Sequence, residues 1–424
     1  MQPCMDRRQY FVITMPTKST IEDLALFGGP PALTEKLHVG RPNVGDRAQL
    51  LERVNDILDR RWFTNAGPYV AEFESRVARL VGVKHCIACC NATIALELVI
   101  RALGLKGEVI VPSFTFVATA HALQWQEITP VFADIDPQTH LIDPASVLRL
   151  ITPRTSGIIG VHTWGQCCDV DRLQAIADEH ELELLFDAAS AFGCEYKGRK
   201  IGSFGAAEVF SFHATKFVNS FEGGAITTND DTLATKLKLM KNFGFLGYDN
   251  VGYIGTNGKM NEVSAAMGIT SIEAMDEFIA VNRRNYEQYR RELVDIPGVE
   301  LLKYGSDYAL NYQYVVAEVN ESCPISRDQL VDLLWAENVL ARRYFYPGAH
   351  RMEPYKSHFP NAGLLLPETE RICARVLILP TGQSVSPADA STVCDLIRFA
   401  VANGPEINDR CKLAGEKTQT GIAR

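Results

Sequence analysis

The sequence lacks any uninterrupted apolar stretch approaching about 18 residues, which excludes a membrane-spanning helix. It also lacks a long Lys/Arg run. With 51 Asp+Glu against 42 Lys+Arg and a formal charge of −9, it fits nonspecific nucleic-acid binding poorly. Cysteine is not scarce, at 11, but the pattern a metal needs is missing. Cys86 and Cys89 form one C-x-x-C, with no second pair and no histidines at zinc-finger spacing. Residues 83–90 read as a strand in which cysteine packs as a small apolar residue, so no metal is expected and the compartment is a reducing one, the cytoplasm. No G-x-G-x-x-G follows the first strand, against a dinucleotide oxidoreductase. Residues 1–14 hold Arg7-Arg8 and an apolar run too short for a signal peptide; they read as an extension, with Met15 an alternative start.

What is present is a regular alternation of helix and strand. Residues 47–60 place Leu50, Leu51, Val54, Ile57 and Leu58 on one helical face, and 68–80 predict a second helix. Short apolar runs at 85–90, 108–112, 130–134, 157–162 and 182–187 alternate with helices, the mark of a largely parallel sheet covered on both faces. A long amphipathic helix is predicted over 271–293. After Pro297-Gly298 the pattern turns to short strands mixed with a helix at 327–338. The expected organisation is an N-terminal segment at 15–44, a large α/β domain at 45–275, a smaller α+β C-terminal domain at 276–403, and a loose polar tail at 404–424.

Parallel sheets bind ligands beyond the carboxyl ends of their strands, and three such ends converge. Asn91-Ala92-Thr93 opens a helix with small residues, leaving backbone amides for a phosphate, although Asn there is also an ordinary cap. Asp187 ends the strand at 182–186, with no carboxylates or histidines beside it to hold a metal. The strand at 209–212 leads into His213-Ala214-Thr215-Lys216, then Glu222-Gly223-Gly224. A phosphate cradle, a strand-end carboxylate and a turn lysine are the parts that pyridoxal phosphate needs: lysine forms the Schiff base, and the carboxylate keeps the pyridine nitrogen protonated. A carboxylate about 4 Å from that nitrogen supplies roughly 4 kcal/mol at an effective dielectric near 20, or about three pKa units.

Residues 211–216, Glu222-Gly223-Gly224 and Asp187-Ala188-Ala189 together resemble the DegT/DnrJ/EryC1/StrS family of pyridoxal-phosphate sugar aminotransferases. The likeness continues through 111–119, 130–137, 151–155 and Val161-His162-Thr163-Trp164-Gly165-Gln166, covering roughly residues 25–400. The resemblance implies an aspartate-aminotransferase-like large domain (fold type I) and a homodimer with shared active sites. It implies Lys216 as the Schiff-base lysine and Asp187 as the partner of the pyridine nitrogen. Phe116 would stack on the ring; Ala92, Thr93 and Ile94, with the Ser211 hydroxyl, would hold the phosphate; Ser190 and His213 would stand beside the cofactor, His213 bracing the turn. Asn257 would reach the neighbouring subunit's phosphate, and His162, Trp164, Tyr344 and Tyr346 are candidates for the sugar site, with plain packing as the alternative. Ser190, where many relatives carry Gln or His, Phe221, Cys167-Cys168 and Lys259 depart from the family's usual residues.

The implied reaction passes an amino group from L-glutamate, through pyridoxamine phosphate, to a nucleotide-linked keto sugar. The branch most resembled aminates C4 of a dTDP-4-keto-6-deoxyhexose, as in desosamine-type pathways. Amination at C3, or of another keto sugar or cyclitol, remains an alternative. A non-catalytic nucleotide-sugar sensor on the same fold is disfavoured because Lys216 and Asp187 are both kept.

Overall fold

The computed structural model describes residues 18–420, so the expected extension at 1–14 lies outside the described residues. Seven strands make the central sheet: β1 (His85–Cys89), β2 (Glu108–Pro112), β3 (Thr129–Ala133), β4 (Thr155–Val161), β5 (Glu183–Asp187), β6 (Ala207–Ser211) and β7 (Gly224–Thr228). Their order is β1-β7-β6-β5-β4-β2-β3, with β7 antiparallel to both neighbours and every other pair parallel. The strands are apolar nearly throughout because helices cover both faces; β2 is buried along its whole length. One face packs Val70, Phe73, Phe186 and Phe210, the other Leu96, Val99, Val111 and Leu237.

The topology brings the ends of β1, β2, β5 and β6 to one edge, where β7 starts: Gly224 stands opposite both Cys89 and Ser211. A Cβ on Gly224 would lie 2.5 Å from the Asn91 carbonyl carbon and 2.6 Å from the Ala92 nitrogen, so only glycine lets β7 pass under the start of the next helix, α1 (Ala92–Leu103).

The helix predicted over 271–293 is two helices, Glu262–Glu273 and Met275–Leu293, broken at Ala274. Beyond them a three-stranded antiparallel sheet, β8 (Val299–Leu301), β9 (Val315–Val319) and β10 (Val376–Leu379), packs with the helices Arg327–Ala336 and Pro387–Ala402. Ile21, Leu24, Leu33 and Leu37 of the N-terminal segment join this core. Buried Glu337 anchors them: it accepts from the Ala25 and Ala32 amides, both at 2.7 Å, and pairs with Lys18 at 3.0 Å. The strand Leu37–His38 then pairs in parallel with Val339–Leu340, a two-stranded sheet separate from the large one. Instead of a loose tail, residues from 404 onward form the helix Gly404–Thr420, because Ile407 has an apolar surface to bury against and Arg410 pairs with Glu22.

Candidate active site

A cleft of about 1140 Å³ opens at the sheet edge, lined from the large unit by Ala92, Thr93, Phe116, Asp187, Ser190, Ser211, His213 and Lys216, and from elsewhere by residues 35–36 and 38–42, Tyr314, Arg342 and Tyr344. Its floor is Asp187, 6% exposed at the end of β5. Oδ1 accepts from the Ala189 amide at 3.0 Å and Oδ2 from the Thr119 hydroxyl at 2.8 Å. Thr119 is in turn 3.0 Å from the Thr115 hydroxyl. Burial pushes the Asp187 carboxyl above its ordinary pKa, while the Ala189 amide, the Thr119 hydroxyl and the charge of Lys216 pull back toward the ionised form. A cation placed against this carboxylate would complete that pull.

Lys216 follows β6 in a turn closed by its own amide donating to the His213 carbonyl at 2.8 Å. Its Nζ is held only loosely, 3.5 Å from Ser190 Oγ and 3.4 Å from Tyr314 Oη, with no carboxylate ion pair among the described residues. His213 braces the turn: Nδ1 lies 2.9 Å from the Thr215 hydroxyl and accepts from the Thr215 amide, and Nε2 lies 3.5 Å from Glu222.

At the start of α1 the Asn91 side chain accepts from the Ile94 amide at 2.9 Å, and the Ala95 amide donates to the Asn91 carbonyl. The Ile94 amide expected to face a phosphate is therefore taken by the cap, and Ile94 does not line the cleft. The Ala92 and Thr93 amides have no partner among the described residues and point a helix N-terminus at the cleft. Phe116, 62% exposed, presents its ring to the same space.

Four sequence candidates lie elsewhere. His162 is fully buried beneath the floor, stacked on Phe186 at 4.7 Å, with Nδ1 accepting from the Cys168 amide and Nε2 3.1 Å from buried Glu208. Burial pulls its pKa down, but Cys168 and the Glu208 carboxylate outweigh this and push it up to about 10. Trp164 is also buried: its ring stacks on Phe345 at 5.3 Å, meets Tyr314 edge-on at 5.3 Å, and donates Nε1–H to His140 at 3.2 Å. Its φ of +64°, uncommon for so bulky a residue, is held by that packing. Neither touches the cleft; Trp164 supports Tyr314 and Phe345, which do. Tyr346 is likewise outside, its ring between Arg327 and Arg343 at 5.1 Å each. Asn257 is exposed on a loop bridged to Asn242 and absent from this chain's own cleft.

Tyr314, Thr119 and the cations of the N-terminal segment line or support the cleft without a local signature in the sequence. Thr119 belongs to the motif at 111–119, where nothing local announces its bond to Asp187; Tyr314 and Arg41 meet the site through tertiary pairing. Among the described residues no group of three or more His, Cys, Asp or Glu side chains is placed to hold a metal, and no helix is long and apolar enough to cross a membrane.

Comparison with known proteins agrees with this geometry. The chain is 37% identical to the dTDP-4-amino-4,6-dideoxy-D-glucose transaminase of Shigella dysenteriae, over 88% of this chain and 100% of that protein. It is 36% identical to the GDP-perosamine synthase of Caulobacter vibrioides, over 80% of this chain and 92% of that protein. The crystal structure of DesI in the presence of its TDP-sugar product superposes with a TM-score of 0.89 at 51% identity, covering 93% of this chain and 100% of that one. The fold is therefore that of the fold-type-I pyridoxal-phosphate aminotransferases. With residues 45–398 matching its family model, the chain belongs to the DegT/DnrJ/EryC1/StrS aminotransferase family.

Proposed function

We propose that this enzyme binds pyridoxal phosphate and aminates C4 of dTDP-4-keto-6-deoxy-D-glucose, giving dTDP-4-amino-4,6-dideoxy-D-glucose, with L-glutamate as amino donor. The observation that carries the chemistry is the meeting, in one cleft, of an amine without a carboxylate partner (Lys216), a buried carboxylate (Asp187) and two unpartnered helix amides (Ala92, Thr93). These residues fit the cofactor: amides for a phosphate, an aromatic face at Phe116 for a ring, and an acid whose buried charge calls for a cationic partner. Similarity to DesI and to the Shigella enzyme supports the sugar and the C4 position.

Pyridoxal phosphate, when bound, supplies an electron sink that accepts the pair left on carbon as a proton departs. The chain's own groups do the rest. Ala92 and Thr93 N–H, with the Ser211 hydroxyl, hold the phosphate. Asp187, oriented by the Ala189 amide and the Thr119 hydroxyl, would be drawn to its ionised form by the cationic ring nitrogen and hold the proton there. The Lys216 amine takes and returns the proton at the reacting carbon, and its loose contacts to Ser190 and Tyr314 leave it free to swing between positions. The same lysine works in both halves of the cycle, first on the amino donor and then on the keto sugar.

A homodimer completes this reading. The loop holding Asn257 lies next to exposed Phe243, Phe245, Leu246, Tyr253 and Ile254, an apolar surface of the kind that subunit interfaces cover. Asn257 would then serve the partner's phosphate site. Incubation with dTDP-4-keto-6-deoxy-D-glucose and L-glutamate, with NMR of the product, tests the proposal: an amine at C4 is expected, and an amine at C3 or no turnover overturns it.

A further inference from the structure

Resting on the reading of Lys216 above, we propose that Asn43 and Gln313 are positioning residues for that lysine. Neither lines the cleft; together they clamp the main chain at Phe217 and so fix the root from which the amine reaches the reacting carbon. A side chain that has to swing cannot be held at its tip, and Lys216 Nζ has only its 3.5 and 3.4 Å contacts to Ser190 and Tyr314. Its aim then depends on its backbone. The turn secures that backbone on one side, where the Lys216 amide donates to the His213 carbonyl at 2.8 Å, and closes where the Ser220 amide donates to the Phe212 carbonyl. Between the two, Phe217 has no main-chain hydrogen-bond partner among the described residues.

Two buried side-chain amides from distant parts of the chain fill that gap. The Phe217 N–H belongs to the peptide group that follows Lys216, and it donates to Gln313 Oε1 at 3.1 Å. The Phe217 carbonyl accepts from Asn43 Nδ2 at 3.1 Å. Asn43 is itself held on three sides. Its carbonyl accepts from Asn219 Nδ2 at 2.9 Å, its Oδ1 accepts from the Gln383 amide at 3.2 Å, and the Val44 amide donates to Gln383 Oε1 at 3.0 Å. Gln313 is fixed through its own amide, which donates to Asn311 Oδ1 at 3.0 Å, while Asn311 Nδ2 donates to the Ser190 and Phe192 carbonyls at 3.0 and 3.1 Å. Residues 311–314, just before β9, thus reach the lysine site at three points. Asn311 holds the Ser190 carbonyl, Gln313 the peptide after Lys216, and Tyr314 the amine.

Covering Phe217 would not by itself call for amides. Gln313 Nε2 is buried without a hydrogen-bond partner among the described residues, a cost that an apolar side chain of the same size would avoid. What the carboxamide supplies in return is an acceptor at one point, the N–H next to Lys216.

Three variants test the clamp. Gln313→Met keeps the length and removes the acceptor, Asn43→Ala removes the donor, and Gln313→Glu restores an acceptor. In the holoenzyme, Gln313→Met and Asn43→Ala should each lower the saturating rate of the glutamate half-reaction about ten- to hundredfold, with the half-saturating glutamate concentration within about twofold. The isotope effect of α-deuterated glutamate on that rate should rise as proton transfer becomes the slow step. When pyridoxal phosphate is added to the cofactor-free chain, the visible absorbance of lysine-bound cofactor should develop about tenfold more slowly than in wild type. Gln313→Glu should recover most of each loss. Because both side chains act on one residue, the double variant should lose less than the product of the single losses. Variants that lower only the unfolding midpoint, with half-reaction rate, isotope effect and absorbance kinetics of wild type, overturn the proposal. So does half-saturation that rises in step with the loss of rate, or Gln313→Glu that is no better than Gln313→Met. Wild type that develops no lysine-bound absorbance overturns the reading of Lys216 on which the clamp rests.

Discussion

Two hydrogen-bonded chains leave the loop after β2, and they differ in what lies at the far end. Thr115, Thr119 and Asp187 run toward the cleft, with O···O distances of 3.0 and 2.8 Å. Ser113, His350 and Glu370 run the other way, with Ser113 Oγ 2.6 Å from His350 Nδ1 and His350 Nε2 2.8 Å from Glu370. By residue type the second chain is a Ser-His-acid triad and the first is unremarkable. Access reverses that ranking. Ser113 is fully buried, its oxygen already accepts the His350 amide at 3.1 Å, and no substrate can reach it. Asp187 is nearly as buried, yet its carboxylate lines an open cleft beside a loosely held lysine. The sealed chain is a clamp that fastens the C-terminal segment to the strand ends. Asp134 helps it, capping the helix Pro367–Arg375 through the Thr369 and Glu368 amides at 2.8 and 3.0 Å.

Breaking the open chain should stop chemistry, and breaking the sealed one should cost stability. Lys216→Ala is expected to lower turnover at least about a thousandfold and to remove the visible absorbance of lysine-bound cofactor. Asp187→Asn, which keeps the shape but not the charge, should slow the glutamate half-reaction roughly a hundredfold or more, and Thr119→Val about tenfold; equal rates for Thr119→Val and wild type would detach the threonine from the working chain.

On the sealed side, His350→Gln should lower unfolding stability by about 1–3 kcal/mol while activity per folded molecule stays within about threefold. Burial holds the His350 pKa below its ordinary value, outweighing Glu370, and Glu370 is itself held low by His350 and Arg351 against its own burial. Both groups thus bind fewer protons folded than unfolded. The clamp's contribution is complete above the ordinary imidazole pKa and is lost as pH falls through the lowered one. Denaturant midpoints measured from pH 7.5 down to 5 should therefore fall more steeply for wild type than for His350→Gln. Parallel profiles would mean that the histidine plays no part in the acid response.

How much of this was legible in the sequence follows the same division. Short apolar runs and the residues at their ends disclosed the parallel sheet, Asp187, Lys216 and the start of α1, because strand-end chemistry is written locally. What stayed hidden depends on contacts between distant segments. The Leu37–His38 strand was invisible because two residues carry no periodicity, and its partner lies some 300 positions away. His162 and Trp164 follow a strand just as Asp187 does, but the β4 end is roofed by Phe345 and underlain by Phe186, so their side chains were claimed by packing. The helix from Gly404 reads as a polar tail because, among its described side chains, the apolar contact with the core comes from Ile407 and Cys411 within a largely polar stretch.

The smallest expected effect separates two tyrosines that the sequence presents as equivalent. Tyr344 lines the cleft, stacks on Phe345 at 5.6 Å and lies under the Arg342 guanidinium; Tyr346 turns outward between Arg327 and Arg343, which share Asp328. Tyr344→Ala should raise KM for the keto sugar about tenfold, since it removes cleft wall and the surface that orients Arg342. Tyr346→Ala should leave KM within about twofold and lower stability by about 0.5–1 kcal/mol, the worth of an exposed cation–π contact. The contrast is sharp because both substitutions remove the same atoms from adjacent turns of one loop. If Tyr346→Ala raised KM as much as Tyr344→Ala, then position relative to the cleft would not be what separates a binding residue from a supporting one, and the same argument that demotes the sealed triad would lose its force.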